Sequence, residues 1–185
     1  MSSPQVWPAM AEAYRTTQGD LAGRLLAALH AAQAAGGDLR GQQSACLLVV
    51  SGEKHENGWE GVLVDLRVED HAQPVEELGR LLRVHRAYEY MNQGDAYLGE
   101  GKTELALEAY RTAAGMAPEI DELPFWHAVT LADLGQVEEA LPIFRAVFRS
   151  NPDWARMVQR LPAAGLLRED AEMMARIMEQ ARTNE

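Results

Sequence analysis

The spacing of apolar residues predicts two helices at the start of the chain. Val6, Met10 and Tyr14 recur every four residues, which places them on one face of a helix. The next segment, "LAGRLLAALHAAQAA", has an apolar stripe formed by Leu21, Leu25, Ala28 and Leu29. Gly36 and Gly37 then end the stripe, as is common at the C-terminus of a helix.

The period then changes to that of β-strands. Residues 45–50, "ACLLVV", are continuously apolar, which is typical of a strand buried on both faces. After a turn signal at Asn57-Gly58, "VLVDLRV" alternates, with Val62, Val64, Leu66 and Val68 on one face and Leu63, Asp65, Arg67 and Glu69 on the other. The two strands are predicted to form a hairpin, and no third strand of comparable quality follows. Because a lone hairpin is marginal in water, we expect helices to cover it or another chain to pair with its edge.

From about residue 74 the pattern is helical, and it contains an internal period of 34 residues. Four pairs share this spacing: Gly101 and Gly135, Ala106 and Ala140, Tyr110 and Phe144, Pro118 and Pro152. Small residues such as Gly94 and Ala128 let two antiparallel helices approach closely. A proline cannot continue a helix, so Pro118 and Pro152 are predicted to stop the second helix of each unit.

Residues 87–120 and 121–154 resemble the tetratricopeptide repeat, a helix–turn–helix unit of 34 residues. A third stretch, 155–180, is predicted to be a departed repeat or a capping helix pair whose inward residues are Met157, Leu161, Met173 and Ile177. The resemblance implies a binding groove lined by the first helix of each unit. The residues of this predicted groove are Tyr88, Met91, Asp95, Leu98, Glu122, Phe125, Val129 and Asp133.

The chemistry of the predicted groove indicates the kind of partner. Met91, Asp95 and Trp126 stand where the chaperone-binding subclass of the family needs Lys and Asn, so that activity is not expected. Methionine, phenylalanine and carboxylates suit an apolar or basic segment of a protein or peptide. Such arrays usually need three units to be stable. The same pattern therefore also fits two units that only extend the core or form a dimer contact.

The stretches "GGDLRGQQSACLLVV" and "VDLRVEDH" resemble a bacterial Ntn-hydrolase-like family known as domain of unknown function 1028. The resemblance implies an α/β/β/α sandwich whose N-terminal portion supplies most strands and the nucleophile. We expect that this portion has no counterpart in this chain. The chain also departs from the family at "NGWEG", where members carry Asn-Asp. We expect a mostly α protein with a small β-hairpin: a partial Ntn-type domain at 1–86 and a tetratricopeptide-like helical domain with C-terminal capping helices at 87–185.

Candidate catalytic residues are few. Ser2 would be an N-terminal nucleophile after removal of Met1, but it leads through prolines into a helix rather than into a strand. Cys46 is expected to be an inert hydrophobe within its strand. Asp65, Arg67 and Glu69 fit either a polar site or a solvated edge, and Asp70-His71 fits either an oriented histidine or a turn before Pro74. The five histidines lack metal-ligand spacing, so catalytic residues are not assigned and no metal or cofactor is expected.

Charge narrows the class of partner. The net charge of -11 argues against nucleic acid, and no apolar run is long enough to span a membrane. One cysteine and no secretory signal favour the cytoplasm. We expect a non-catalytic interaction or assembly module that binds a protein or peptide, or a second copy in a homodimer through the hairpin edge. The alternative is the C-terminal half of a split or truncated amide hydrolase whose nucleophile lies on a missing N-terminal segment.

Overall fold

The computed structural model describes residues 19–36, 44–51, 57 and 61–182. The chain divides into two compact units, Met1–His85 and Arg86–Glu185. Among the described residues no helix is both long and apolar enough for a membrane span. The helix expected at Val6, Met10 and Tyr14 and the candidate nucleophile Ser2 lie outside these residues.

Among its described residues, the first unit contains a helix, a β-hairpin and the beginning of a second helix. Helix α1 spans Gly19–Ala34, strand β1 spans Ala45–Val50, strand β2 spans Val62–Val68, and α2 spans Pro74–Gly99. The strands pair antiparallel, from Ala45 opposite Val68 to Val50 opposite Val62, with a register shift between Val49 and Val50. In the part of the chain that the structure describes, this sheet has two strands. The predicted hairpin is confirmed.

One face of the hairpin forms the core of the first unit. Its strand residues pack with side chains from α1 and from the first turns of α2; the cluster consists of Ala22, Leu47, Val49, Val64, Val68, Leu78 and Leu82. Alternation along β1 turns Leu48 and Val50 to the opposite face, where each is 54% exposed. The prediction of a strand buried on both faces is therefore wrong. Cys46 lies on this exposed face too, so its expected burial is also wrong.

The second unit consists of helices that pack against their neighbours along the chain. After α2 come α3 (Thr103–Met116), α4 (Glu122–Asp133), α5 (Val137–Ser150), α6 (Asp153–Val158) and α7 (Ala171–Arg182). Packing joins α3 to α4, α4 to α5, and α5 to both α6 and α7. As expected, α3 and α5 end two residues before Pro118 and Pro152. The described chain is thus mostly α-helical with one small hairpin, which confirms the predicted fold class.

Three glycine turns give this unit its regularity. Gly101, Gly135 and Gly165 have φ of 71°, 87° and 71°, a region that glycine enters without steric cost. In each turn the amide after the glycine donates to the carbonyl five residues earlier: Lys102 to Tyr97 at 2.8 Å, Gln136 to Leu131 at 2.8 Å, and Leu166 to Leu161 at 2.9 Å. This is the pattern of a Schellman motif. The third stretch therefore contains the same turn as the two units before it, although α6 already ends at Val158.

The third stretch packs inward through most of its predicted residues. Leu161, Met173 and Ile177 are buried in the core of the second unit, as expected. Met157 is 41% exposed, so its predicted inward position is wrong. Helix α6 is only six residues long, and its buried positions are taken by Ala155 and Val158.

Candidate functional site

The eight residues of the predicted groove lie on two helices, and all eight belong to the second unit. Four belong to α2, namely Tyr88, Met91, Asp95 and Leu98, and four lie on α4, namely Glu122, Phe125, Val129 and Asp133. Their exposure differs widely, from fully buried to open. The surface that remains available to a partner is therefore smaller than the predicted groove.

Phe125 and Val129 lie in the hydrophobic core rather than on an open surface. The ring of Phe125 meets three aromatic side chains, with centroid distances of 4.4 Å to Trp154, 5.4 Å to Trp126 and 6.1 Å to Phe144. Trp154 comes from α6, so this short helix covers the part of α4 where the groove was expected. Neither Phe125 nor Val129 is open to a partner in this conformation.

Tyr88 and Glu122 connect the first helices of the two repeat units. The Tyr88 hydroxyl donates to Glu122 Oε2 at 2.7 Å, and the two residues are 34 positions apart. They therefore occupy the same position in consecutive units. The hydrogen bond to Glu122 raises the pKa of Tyr88 to about 12, and partial burial adds to this shift. Tyr88 thus stays protonated and keeps donating at any physiological pH.

Asp95 is held by a second tyrosine. The Tyr110 hydroxyl on α3 donates to Asp95 Oδ1 at 2.5 Å. Burial of the tyrosine, together with the hydrogen bond to Asp95, raises the pKa of Tyr110 well above its ordinary value. The Asp95 side chain remains exposed beside this contact.

Asp133 makes a structural hydrogen bond within the second unit. Its Oδ1 accepts a hydrogen bond from the backbone amide of Arg168 at 2.7 Å. This contact ties the end of α4 to the segment that follows the Gly165 turn. Asp133 is exposed, but its position is explained by that structural contact.

Four residues of the predicted groove combine exposure with chemistry suited to binding. Leu98 is 37% exposed, Asp95 is exposed, and Met91 and Glu122 are half-buried. Met91, Asp95 and Leu98 are separated by four and three residues, so they share one side of α2. Glu122 lies on α4 and accepts the hydrogen bond from Tyr88 of α2. We call these four residues, Met91, Asp95, Leu98 and Glu122, the acidic helix face.

The polar residues of the hairpin make local contacts. Arg67 donates to both oxygens of Asp65, at 2.8 and 3.0 Å, and this bond lowers the pKa of Asp65. His71 Nδ1 accepts a hydrogen bond from the Gln73 amide at 3.0 Å. This contact forms a turn, which is one of the two interpretations of Asp70-His71; the other is an oriented histidine. Asp70 has φ of 50°. An open depression of about 520 Å³ lies at this end of the hairpin, lined by Ser44, Ala45, Cys46, Arg67, Val68, Glu69 and Asp70.

No cluster of three or more His, Cys, Asp or Glu side chains suited to a metal ion occurs among the described residues. The polar residues of the hairpin and of the segment after it instead form an ion pair, between Arg67 and Asp65, and a turn at His71.

The burial of His127 was not predicted from the sequence. His127 on α4 is only 7% exposed, and its Nε2 has no hydrogen-bond partner. Burial lowers the pKa of His127, and the nearby Arg111 lowers it further, while Glu139 and Glu108 act in the opposite direction. Its position in the sequence could have indicated this burial, because His127 lies among the apolar residues of α4, next to Ala128.

Comparison with protein families agrees with both resemblances. Residues 1–78 match the model described as "Family of unknown function (DUF1028)". Residues 90–120 match the model described as "Tetratricopeptide repeat". No curated protein and no solved structure matches the chain. The predicted order of the two resemblances, first to this family of unknown function and then to the tetratricopeptide repeat, is confirmed.

Proposed function

We propose that the protein is a non-catalytic interaction or assembly module that binds a segment of another protein at the acidic helix face. The observation that carries the proposal is the exposure of an apolar and an acidic side chain on this face. On α2, Leu98 is 37% exposed and lies three residues after Asp95, which is also exposed. Tetratricopeptide repeats generally mediate contacts between proteins, and residues 90–120 match their model.

We propose the domain organisation as 1–86 and 87–185, with a cytoplasmic location that suits the exposed thiol of Cys46. The division of the chain between His85 and Arg86 into two compact units supports this boundary. The polar groups of the hairpin support a non-catalytic role, because Arg67 is paired with Asp65 and His71 takes part in a turn.

Site-directed photocrosslinking tests the proposal. A photoreactive residue at Leu98 should give a discrete adduct in cells of the source organism. The same residue at Leu105, which lies on α3 and is 50% exposed, serves as the matched control and should give none. The captured protein is then purified and its dissociation constant measured against the parent chain and Met91→Glu. Equal adducts at both positions, or equal affinity for the two chains, would contradict the proposal.

An amide hydrolase to which this chain contributes only part of the site is the second candidate. The depression at the end of the hairpin favours it, because Ser44, Arg67 and Glu69 line an open polar hollow in the unit that resembles an Ntn-hydrolase-like family. Amidase and esterase turnover is measured on the pure chain and on any complex with the product of a neighbouring reading frame. Turnover that depends on a nucleophile would support this candidate over the first.

Self-association is a further part of the proposal. The described sheet has two strands, and an unpaired strand edge is a template for another strand. We propose that two copies pair through the hairpin edge about a two-fold axis. Light scattering at micromolar concentration should give the mass of a dimer, and a strict monomer would oppose this pairing.

A further inference from the structure

We propose that the segment bound by the acidic helix face is cationic. In this arrangement Asp95 and Glu122 bind lysine or arginine side chains of a partner protein, and Met91 and Leu98 contact apolar residues beside them. The inference rests on the proposed function and adds the chemical class of the partner.

The two carboxylates are positioned without being neutralised. Asp95 accepts from Tyr110, and Glu122 accepts from Tyr88. A tyrosine hydroxyl is a neutral donor, so each carboxylate keeps its negative charge while its orientation is fixed. A carboxylate has about four acceptor positions, and one hydrogen bond leaves room for a cationic donor. Charge-assisted hydrogen bonds of that kind are about twice as strong as neutral ones.

The acidic residues of the second unit are concentrated in its N-terminal part. Residues 86–139 contain eleven acidic and three basic side chains, whereas residues 140–185 contain six and seven. The acidic part comprises the first repeat unit, the first helix of the second repeat unit and the start of α5, and it includes Asp95 and Glu122. A field of one sign raises the local concentration of an oppositely charged partner and steers its approach.

The apolar residues indicate a polypeptide as the partner rather than a small cation. Met91 and Leu98 flank Asp95 on one side of α2, so apolar, acidic and apolar positions alternate along the helix. An amphipathic segment with basic residues between apolar ones has the complementary pattern. Methionine suits such a surface because its side chain adapts to different partners.

Fluorescence anisotropy on the full chain tests the inference with two synthetic peptides. Both have the same amphipathic pattern of leucine, but one carries lysine and the other carries glutamate at the polar positions. The lysine peptide should bind at least about tenfold more tightly, and added salt should weaken it. The double variant Asp95→Asn, Glu122→Gln should lose about tenfold in affinity. Both changes are isosteric, and each new amide oxygen can still accept from its tyrosine.

The matched control removes the same charge elsewhere. Glu104→Gln with Glu139→Gln changes two exposed carboxylates on α3 and α5, and it should bind the lysine peptide within about twofold of the parent chain. Equal losses in the two double variants would show attraction by net charge alone and would overturn the inference. Preference for the glutamate peptide, or no binding of either peptide, would also overturn it.

This outcome can be separated from failure of the proposed function. A crosslink at Leu98 that persists while the lysine peptide shows no preference would mean that the partner is not cationic, with the interaction surface intact. Should circular dichroism show that the double variant has lost its helical structure, Asp95→Asn alone is measured against Glu104→Gln alone.

Discussion

The ring of Tyr110 packs directly against Gly94. A Cβ atom at residue 94 would lie 2.6 Å from Cε1 of that ring, far inside the normal contact distance. The missing side chain lets the ring pass α2, and its hydroxyl then reaches Asp95 at 2.5 Å. One glycine thus connects helix packing to the placement of a carboxylate on the acidic helix face.

Gly94→Ala should destabilise the second unit by about 1–3 kcal/mol, because the new methyl group forces Tyr110 or α2 to move. Gly115→Ala in α3 is the matched control, since nothing lies within 4 Å of the Cβ position there. Removing a glycine from an open helix position should stabilise the protein by about 0.5–1 kcal/mol. Urea unfolding of both variants measures the difference, and equal effects would refute the close packing.

Tyr110→Phe should lower the free energy of unfolding by about 1 kcal/mol through loss of the hydrogen bond to Asp95. Combined with Asp95→Ala in a double-mutant cycle, it should give a coupling energy of about 0.5–1.5 kcal/mol. Chemical denaturation of the parent chain, the two single variants and the double variant provides the measurement. Strictly additive effects would mean that the two side chains do not interact.

Leu47 and Leu48 are neighbours in β1 with opposite surroundings, since Leu47 is buried and Leu48 is 54% exposed. Leu47→Ala should destabilise the first unit by about 2–4 kcal/mol, because it leaves a cavity between the hairpin and its helices. Leu48→Ala should cost less than about 1 kcal/mol. Thermal unfolding compares the two variants. Similar losses would show that both faces of the strand are covered in solution.

Stability should fall at mildly acidic pH through His127. Its ordinary pKa is about 6.5, and burial lowers the pKa in the folded state. As the pH falls below about 6.5, the unfolded chain takes up a proton that folded His127 resists. The stability present above that pH is therefore lost progressively down to the folded pKa. For one proton the slope reaches at most about 1.4 kcal/mol per pH unit.

The groups that face His127 are Arg111 and Glu108 on α3 and Glu139 on α5. His127→Leu should reduce the slope of stability against pH between about pH 6.5 and 5. Calorimetry at several pH values compares this variant with the parent chain. Titration of the His127 ring by NMR gives the folded pKa directly, and a midpoint at or above 6.5 would contradict the prediction.

Much of the second unit could be predicted from the sequence, because its signals are local. The spacing between Gly101 and Gly135 reflects two identical turns, and Pro118 and Pro152 follow two helix ends. The groove was less predictable. Whether Phe125 is open or covered depends on Trp154, which belongs to a short helix that departs from the repeat pattern. The position of Phe125 within its repeat does not predict its contact with Trp154.

The hairpin shows a different limit of sequence reasoning. An apolar run such as Ala45–Val50 specifies a strand, but it does not say whether each face is covered. That depends on where helices lie in space, and here the helical side chains Ala22, Leu78 and Leu82 pack with one face. The alternation in β2 was more informative, because Asp65 and Arg67 already marked the side turned to solvent.

The repeated glycine turns also bear on how the chain acquires its structure. Each turn closes through a hydrogen bond between residues five positions apart, and helix packing in the second unit joins near neighbours in sequence. Domains dominated by such local contacts have low contact order and fold within microseconds to milliseconds. We expect the helix–turn–helix units of the second unit to form early and nearly independently during synthesis. The pairing of β1 and β2 is expected to be the slower step.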